Sequence, residues 1–178
     1  MNTYIVLLRG VTPTGKNRVP MAQLRQLLSD DADFHNVQTW IQSGNVILNT
    51  ELPAKNVSGK VNRIIKENIG ADLKIIVKTP AEIKAVLAEN PFGEGYDISR
   101  VFFTLFNQLP DEKLVETLQS QDFGDDRFIF TPRAIYLFIP GSAAKTKLNN
   151  NFLERKLKID ATTRNFNTLS KMVKLATD

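Results

Sequence analysis

The stretch VQTWIQSGNVIL, residues 37–48, decides the fold that we predict for this chain. Two runs that favour β-strands, residues 37–42 and 46–48, flank the tripeptide Ser43-Gly44-Asn45. Glycine and asparagine tolerate the positive φ angles that tight turns need, so the stretch predicts a β-hairpin.

The segments on either side of this hairpin predict one strand and one helix each. Residues 3–8 are apolar and β-branched, which is typical of a buried strand, and leucines recur at helical spacing after Pro20. Beyond the hairpin, a helix follows Pro53 and stops at Gly70, and residues 73–77 predict a further strand. The order strand, helix, hairpin, helix, strand is that of a ferredoxin-like βαββαβ unit.

The same order of elements returns in the second half of the chain. A capping box at Thr79-Pro80-Ala81-Glu82 begins a connecting helix, and the irregular residues 90–97 follow it. We then predict a strand at 101–106, a helix opened by Pro110, a hairpin at 127–139, a helix at 148–157, a short strand at 159–163 and a final helix. The sequence therefore predicts an α+β protein with two tandem ferredoxin-like halves and antiparallel sheets. The predicted boundaries are 1–79, 80–97 for the connecting helix and linker, and 98–178.

The composition removes several classes of protein. The 178 residues include no cysteine and one histidine, which argues against disulfides, thiolate chemistry and zinc. No apolar run approaches the roughly 20 residues of a membrane span, and the N-terminus lacks the features of a signal peptide. We therefore expect a soluble cytoplasmic protein with no membrane partner and no metal, and the composition identifies no cofactor.

The net charge of +4 is concentrated near the C-terminus, where residues 141–178 hold eight basic and three acidic residues. Such a region can attract nucleic acid or an acidic protein, and it can also be the solvated face of amphipathic helices. An interaction module that uses this basic region is our alternative hypothesis.

The loop after the first strand has the most suggestive chemistry. Gly10, Gly15 and Lys16 have the spacing of a phosphate-binding P-loop, in which backbone N–H groups and a lysine hold phosphates. Asn17 stands where a hydroxyl would hold magnesium, the helix begins only near Pro20, and the parallel sheet of such proteins is absent from the element order. These features argue against a nucleoside-triphosphatase. Two interpretations of the loop remain, an anion-binding loop and a connection with a structural role only.

Topology brings a second segment to this loop. In a βαββαβ unit the first strand ends at the edge of the sheet where the central hairpin turns, so residues 9–17 and 42–45 should be neighbours. The predicted ligand-binding residues are Arg9, Lys16, Asn17, Ser43 and Asn45, with Arg164 and Asn165 joining from the second half. Donors outnumber acceptors in this set, which favours a small anionic or phosphate-bearing ligand, although turn formation alone would explain residues 43–45.

No catalytic constellation is evident, so whether the protein is an enzyme stays open. His35 lies in a turn-like stretch and is best interpreted as an inert surface residue. Asp122, Asp125 and Asp126 lack the spacing of a calcium loop and are better explained by a turn. RNA recognition modules share this fold class, but they stack bases on aromatic residues of the central strands, and residues 43–50 contain none. Nucleic acid is therefore not the favoured partner.

The chain contains six distinctive segments, Leu8-Arg9-Gly10, Gly15-Lys16-Asn17, Pro20-Met21, Trp40-Ile41-Gln42-Ser43-Gly44-Asn45-Val46, Lys147-Leu148 and Ala161-Thr162-Thr163-Arg164-Asn165-Phe166-Asn167-Thr168. In combination these segments resemble a bacterial family, domain of unknown function 1697. This chain departs from the usual pattern at Val11-Thr12-Pro13-Thr14 and at Phe166, where the family has tryptophan. The resemblance implies a pair of ferredoxin-like halves and implies no activity.

Overall fold

The computed structural model describes residues 1–178 and contains two successive sets of strands and helices. The first set comprises β1 (Asn2–Arg9), α1 (Met21–Ser29), β2 (His35–Trp40), β3 (Asn45–Thr50), α2 (Ala54–Asn68) and β4 (Lys74–Lys78), and α3 (Pro80–Ala88) follows it. The second set opens with a 3-10 turn (Ile98–Arg100) and comprises β5 (Val101–Phe106), α4 (Glu112–Gln119), β6 (Arg127–Phe130), β7 (Ile135–Phe138), α5 (Asn150–Leu157), β8 (Ala161–Asn165) and α6 (Phe166–Thr177).

Each set of strands forms one four-stranded antiparallel sheet. The strand orders are β2-β3-β1-β4 and β6-β7-β5-β8, so the two sheets have the same topology. In both sheets the first and third strands of the set lie in the centre, which is the ferredoxin-like arrangement. The predicted α+β fold with two ferredoxin-like halves is confirmed.

The chain divides into two compact units. The first comprises Met1–Lys84 together with Ser170–Asp178, and the second comprises Ala85–Leu169. The boundaries expected from the sequence, 1–79, 80–97 and 98–178, follow the order of elements, whereas these units follow contacts in space. The sequence boundaries therefore stay a prediction about where the chain can be cut into folding units.

The core of the first unit lies between its sheet and the helices α1 and α2. On β1, Tyr4, Val6 and Leu8 are buried against this core because alternate residues of a strand face the same side of the sheet. Leucines of α1 and branched residues of α2 complete the core, among them Leu24 and Ile65, both fully buried. Each such side chain contributes about 1.5–3 kcal/mol through burial.

The second unit has a separate core built in the same way. Phe106 on β5 and Ile135 and Leu137 on β7 pack with Leu153 and Leu157, which lie one helical turn apart on α5. The spacing of four residues places both leucines on one face of the helix. No helix in the protein is long and apolar enough to cross a membrane.

The predicted capping box at the start of α3 is confirmed. The Thr79 hydroxyl accepts from the Glu82 backbone N–H at 3.1 Å, and the Glu82 carboxylate accepts from the Thr79 backbone N–H at 2.7 Å. The prediction for α4 was off by two residues, because Pro110 precedes the helix and does not open it. Asp111 is the N-cap there, and its carboxylate accepts from the Lys113 backbone N–H at 2.8 Å.

The central hairpin forms, but its turn differs from the prediction. The strands are joined by four residues, 41–44, and the positive φ angles occur at Ile41 and Gly44. Asn45 was expected to share the turn conformation and instead begins β3, where it pairs with Trp40. The prediction assigned left-handed geometry by residue preference, whereas the pairing of the two strands determines which positions adopt it.

Candidate functional site

The segment from Gly10 to Arg18 forms a loop that is closed on itself. The backbone N–H of Thr12 donates to the carbonyl oxygen of Asn17 at 3.0 Å, and that of Arg18 donates to the carbonyl oxygen of Gly15 at 3.2 Å. Gly10 and Gly15 have φ angles of 82° and 83°, which residues with a Cβ rarely adopt. The loop leads into α1 only at Met21, and the neighbours of β1 are antiparallel, so the structure does not form a P-loop.

The loop packs against the turn of the central hairpin, as the topology predicted. The backbone N–H of Leu8 donates to the carbonyl oxygen of Gly44 at 2.8 Å, and Gln42 Nε2 donates to the carbonyl oxygen of Val19 at 2.8 Å. A Cβ atom on Gly44 would lie 2.8 Å from Leu8 Cβ and 2.9 Å from Val11 Cγ2. We call residues 9–18 and 42–45 together the loop–turn surface.

Asn45 and Ser43 hold this turn in shape. Asn45 is fully buried, and its Nδ2 donates to the Trp40 carbonyl oxygen at 3.0 Å and to Ser43 Oγ at 2.9 Å. The bond to Trp40 spans the four-residue connection and ties β2 to β3, and the bond to Ser43 holds the turn between them. Ser43 itself is exposed, so its hydroxyl lies where a ligand can reach it.

Positive charge dominates the loop–turn surface. Lys16 and Arg18 are exposed and form no hydrogen bond or ion pair through their side chains, while Arg9 is half-buried opposite Lys74 on β4. The first acidic residue of the chain is Asp30, so no carboxylate interrupts the segment. The backbone N–H groups of residues 14–17 donate to no acceptor within the protein. The surface can therefore offer both charge and hydrogen-bond donors to an anion.

The other two predicted site residues, Arg164 and Asn165, belong to the second unit. Arg164 Nη1 donates to the Thr163 carbonyl oxygen at 3.1 Å and to the Thr162 hydroxyl, and burial lowers the pKa of Arg164 to about 10. Asn165 caps α6, because its Oδ1 accepts from the Thr168 backbone N–H at 2.9 Å. Beside this cap lies a cavity of about 130 Å³ lined by Ile98, Ser99, Asn165, Phe166 and Asn167.

The chain matches the family model described as protein of unknown function (DUF1697) over residues 1–136. It is a member of the DUF1697 family. The match contains the whole loop–turn surface, and it ends before Arg164 and Asn165. No curated protein matches this DUF1697 chain.

A solved structure supports the fold of this DUF1697 protein. The chain is similar to a conserved bacterial protein from Streptococcus pneumoniae, with 23% sequence identity and a TM-score of 0.76. The similarity covers 98% of each chain. At this level of identity the likeness concerns the fold alone.

Two features, one in the DUF1697 loop–turn surface and one beside it, were missed by reasoning from the sequence. Arg18 was not considered, although the absence of acidic residues before Asp30 was a visible signal. Lys171 of α6 lies with its Nζ 4.9 Å from the ring centroid of Trp40, the last residue of β2. Nothing local in the sequence connects residues 40 and 171, so only the folded chain reveals this cation–π contact.

The remaining candidates of the DUF1697 chain have ordinary structural roles. His35 is exposed at the start of β2. Among the three aspartates, Asp122 accepts from the Gly124 backbone N–H at 2.9 Å within a turn, and Asp126 accepts from the Thr146 hydroxyl. No group of three or more histidine, cysteine or acidic side chains is placed to hold a metal ion. Tyr4, the one aromatic residue of β1, is buried and cannot stack on a base.

Proposed function

We propose that this protein binds a small anionic or phosphate-bearing ligand at the loop–turn surface. The observation that carries the proposal is the contact of a closed, cationic loop with the hairpin turn. Lys16 and Arg18 supply charge, and the backbone N–H groups of residues 14–17 supply donors that no protein acceptor uses. Because two backbone hydrogen bonds close the loop, its N–H groups are held in place before any ligand arrives, and little backbone ordering entropy is lost on binding.

Each predicted residue of the first unit has a role in this proposal. Asn17 and Ser43 would donate hydrogen bonds to the ligand, and Arg9 at the end of β1 would add charge. Asn45 would position Ser43 through the 2.9 Å bond to its hydroxyl. Arg164 and Asn165 lie in the second unit. Their participation stays a prediction from the sequence and is not needed for the proposal.

A thermal-shift experiment tests this function with a matched charge control. Pyrophosphate, ADP, a sugar phosphate and citrate are each added to wild type, to Lys16→Ala/Arg18→Ala and to Arg25→Ala/Lys55→Ala. The control removes the same charge from exposed residues on α1 and α2. A ligand at about 100 times its Kd adds about 2.7 kcal/mol to the stability of wild type and of the control.

The loop variant should lose most of that stabilisation, because the two cations contact the anion directly. An equal shift in the loop variant and in the control would show that the binding site is elsewhere. The absence of a shift in wild type with all four compounds would refute the proposal for the anion classes that they represent.

A second function has one specific observation in its favour. Arg155 and Lys156 of α5 lie 5.7 Å and 5.8 Å from the ring centroid of Phe152, so cations and an aromatic ring share one face of the helix. Basic and aromatic residues together are typical of surfaces that bind single-stranded nucleic acid. We infer from this face the alternative function of a nucleic-acid or protein interaction module.

Filter binding of single-stranded RNA and DNA across salt concentrations separates the alternative from the leading proposal. Replacing Lys145, Lys147, Arg155 and Lys156 with alanine should reduce the slope of log affinity against log salt by about 0.7 for each lost phosphate contact. Replacing Lys16 and Arg18 should leave that slope unchanged. Negligible binding by wild type at low salt would eliminate the nucleic-acid form of the alternative.

A further inference from the structure

Ile41 has a backbone conformation that does not suit its side chain. Its φ angle is 49°, in the left-handed region, where the branched Cβ of isoleucine crowds its own backbone. The other two non-glycine residues with positive φ are Asn36 and Lys158, and neither is β-branched. Asparagine visits this region readily, and Lys158 ends α5 as its C-cap. Among these residues Ile41 is the conformational outlier.

Neither the turn nor the core explains an isoleucine at this position. The turn requires a left-handed residue at position 41, and glycine or asparagine would meet that requirement with less strain. The side chain is 50% exposed and is not part of the hydrophobic core of the first unit. An apolar side chain that is both strained and exposed suggests a contact outside the folded chain.

The neighbours of Ile41 indicate what that contact is. Before it in the chain stands Trp40, with the Lys171 ammonium 4.9 Å from its ring centroid. After it stands Gln42, which is bonded to Val19 directly behind the cationic loop. In the chain Ile41 therefore stands between the residue that the Lys171 ammonium contacts and the residue that is bonded behind the loop. It adds apolar surface to a region whose other exposed side chains, apart from Pro13, are polar or charged.

We propose that Ile41 contacts an apolar or aromatic part of the ligand that binds the loop–turn surface. This inference rests on the proposed function and narrows it. The ligand is an anionic compound with an apolar or aromatic group beside the charge, of which an aryl phosphate is the simplest example. The anion lies at the loop with Lys16 and Arg18, and the apolar group lies against Ile41.

Calorimetric titration with two probes tests the inference separately from the proposed function. Inorganic phosphate carries the charge alone, and 1-naphthyl phosphate carries the charge and an aromatic group. Wild type should bind 1-naphthyl phosphate about five to ten times more tightly than phosphate, the gain expected when the exposed half of an isoleucine is covered. Ile41→Gly should bind phosphate like wild type and lose that preference.

Two further variants serve as controls. Ile41→Val keeps the branched Cβ and most of the apolar surface, so it should retain the preference for 1-naphthyl phosphate. Ile129→Ala shortens another exposed isoleucine, on β6, and should bind both probes like wild type. The Tm of Ile41→Gly should equal that of wild type or exceed it by a few degrees, because glycine relieves the strain.

Three results would overturn the inference while the proposed function survives. The first is equal affinity of wild type for both probes, and the second is an Ile41→Gly variant that still prefers 1-naphthyl phosphate. The third is a Tm of Ile41→Gly more than about 5 °C below that of wild type, which would show that the side chain is needed for packing. Failure of wild type to bind either probe would overturn the proposed phosphate site itself, and this inference with it.

Discussion

Gly44 occupies the point where the hairpin turn meets the loop. Its φ angle is 90°, and a Cβ atom there would lie 2.8 Å from Leu8 Cβ. Gly44→Ala should therefore destabilise the protein by about 2–4 kcal/mol, the sum of left-handed strain and overpacking. Gly59→Ala is the control, because Gly59 lies within α2 with open space around it. This substitution should stabilise the protein by about 0.5–1 kcal/mol. Urea unfolding of both variants measures the difference, and equal stabilities would contradict the expected overlap.

Tyr136 is the residue at which stability should depend on pH. Its side chain is fully buried, its hydroxyl donates to the Val86 carbonyl oxygen at 2.8 Å, and burial raises its pKa to about 12. A raised pKa means that folding favours the neutral phenol. This contribution is complete below the unfolded pKa of 10.0 and is lost as the pH rises towards 12.

Tyr136→Phe should remove this dependence together with the hydrogen bond. At pH 8 the variant should be less stable by about 1 kcal/mol, because the Val86 carbonyl loses its donor. Between pH 9 and pH 11 wild type should lose about 1.4 kcal/mol more than the variant. Urea unfolding at these pH values measures both effects, and parallel pH profiles would show that the phenol ionises as easily in the folded protein as in the unfolded chain.

At the scale of the element, α3 shows how a local motif determines where a helix starts. Its capping box satisfies two backbone N–H groups through Thr79 and Glu82. Thr79→Ala should lower the free energy of unfolding by about 1 kcal/mol, and Thr79→Ser should restore it because the hydroxyl is the capping group. Thermal unfolding compares the three proteins. A Thr79→Ser variant as unstable as Thr79→Ala would mean that the threonine methyl group matters and the cap does not.

The hairpin and α4 show where prediction of elements failed. Residue preferences located the turn near Gly44 but assigned left-handed geometry to Asn45 in place of Ile41. Proline marked the approach to α4, but the helix begins after the capping carboxylate of Asp111. In both cases hydrogen bonds of the folded chain determined the boundary. The pairing of Trp40 with Asn45 determined where the hairpin turn ends, and the bond from the Lys113 N–H to the Asp111 carboxylate determined where α4 begins.

At the scale of the whole molecule, the C-terminal segment Ser170–Asp178 belongs to the first unit, although its sequence position is far from it. Removing this segment deletes Lys171, whose ammonium group contacts the ring of Trp40, the one tryptophan of the chain. It also deletes the buried residues Met172 and Val173. A chain ending at Leu169 should therefore be less stable by more than about 2 kcal/mol, with red-shifted tryptophan emission.

Lys171→Ala is the control for this truncation. It removes the cation–π contact alone and should cost about 0.5–1 kcal/mol. Tryptophan fluorescence during urea unfolding reports on the first unit, because Trp40 lies there. An unchanged emission spectrum and unfolding midpoint in the truncated chain would contradict the assignment of residues 170–178 to that unit.

The sequence by itself determined the fold class, the order of the elements, the helix cap at residue 79 and the meeting of the 9–17 loop with the hairpin turn. These follow from residue periodicity, local hydrogen bonding and a topology that admits few arrangements. Only the tertiary structure decided that Asn45 is buried and bonded to Trp40 and Ser43, that Ile41 has the left-handed conformation and that Lys171 lies over Trp40. These features depend on strand register and on contacts between residues far apart in the chain, for which local sequence patterns carry no signal.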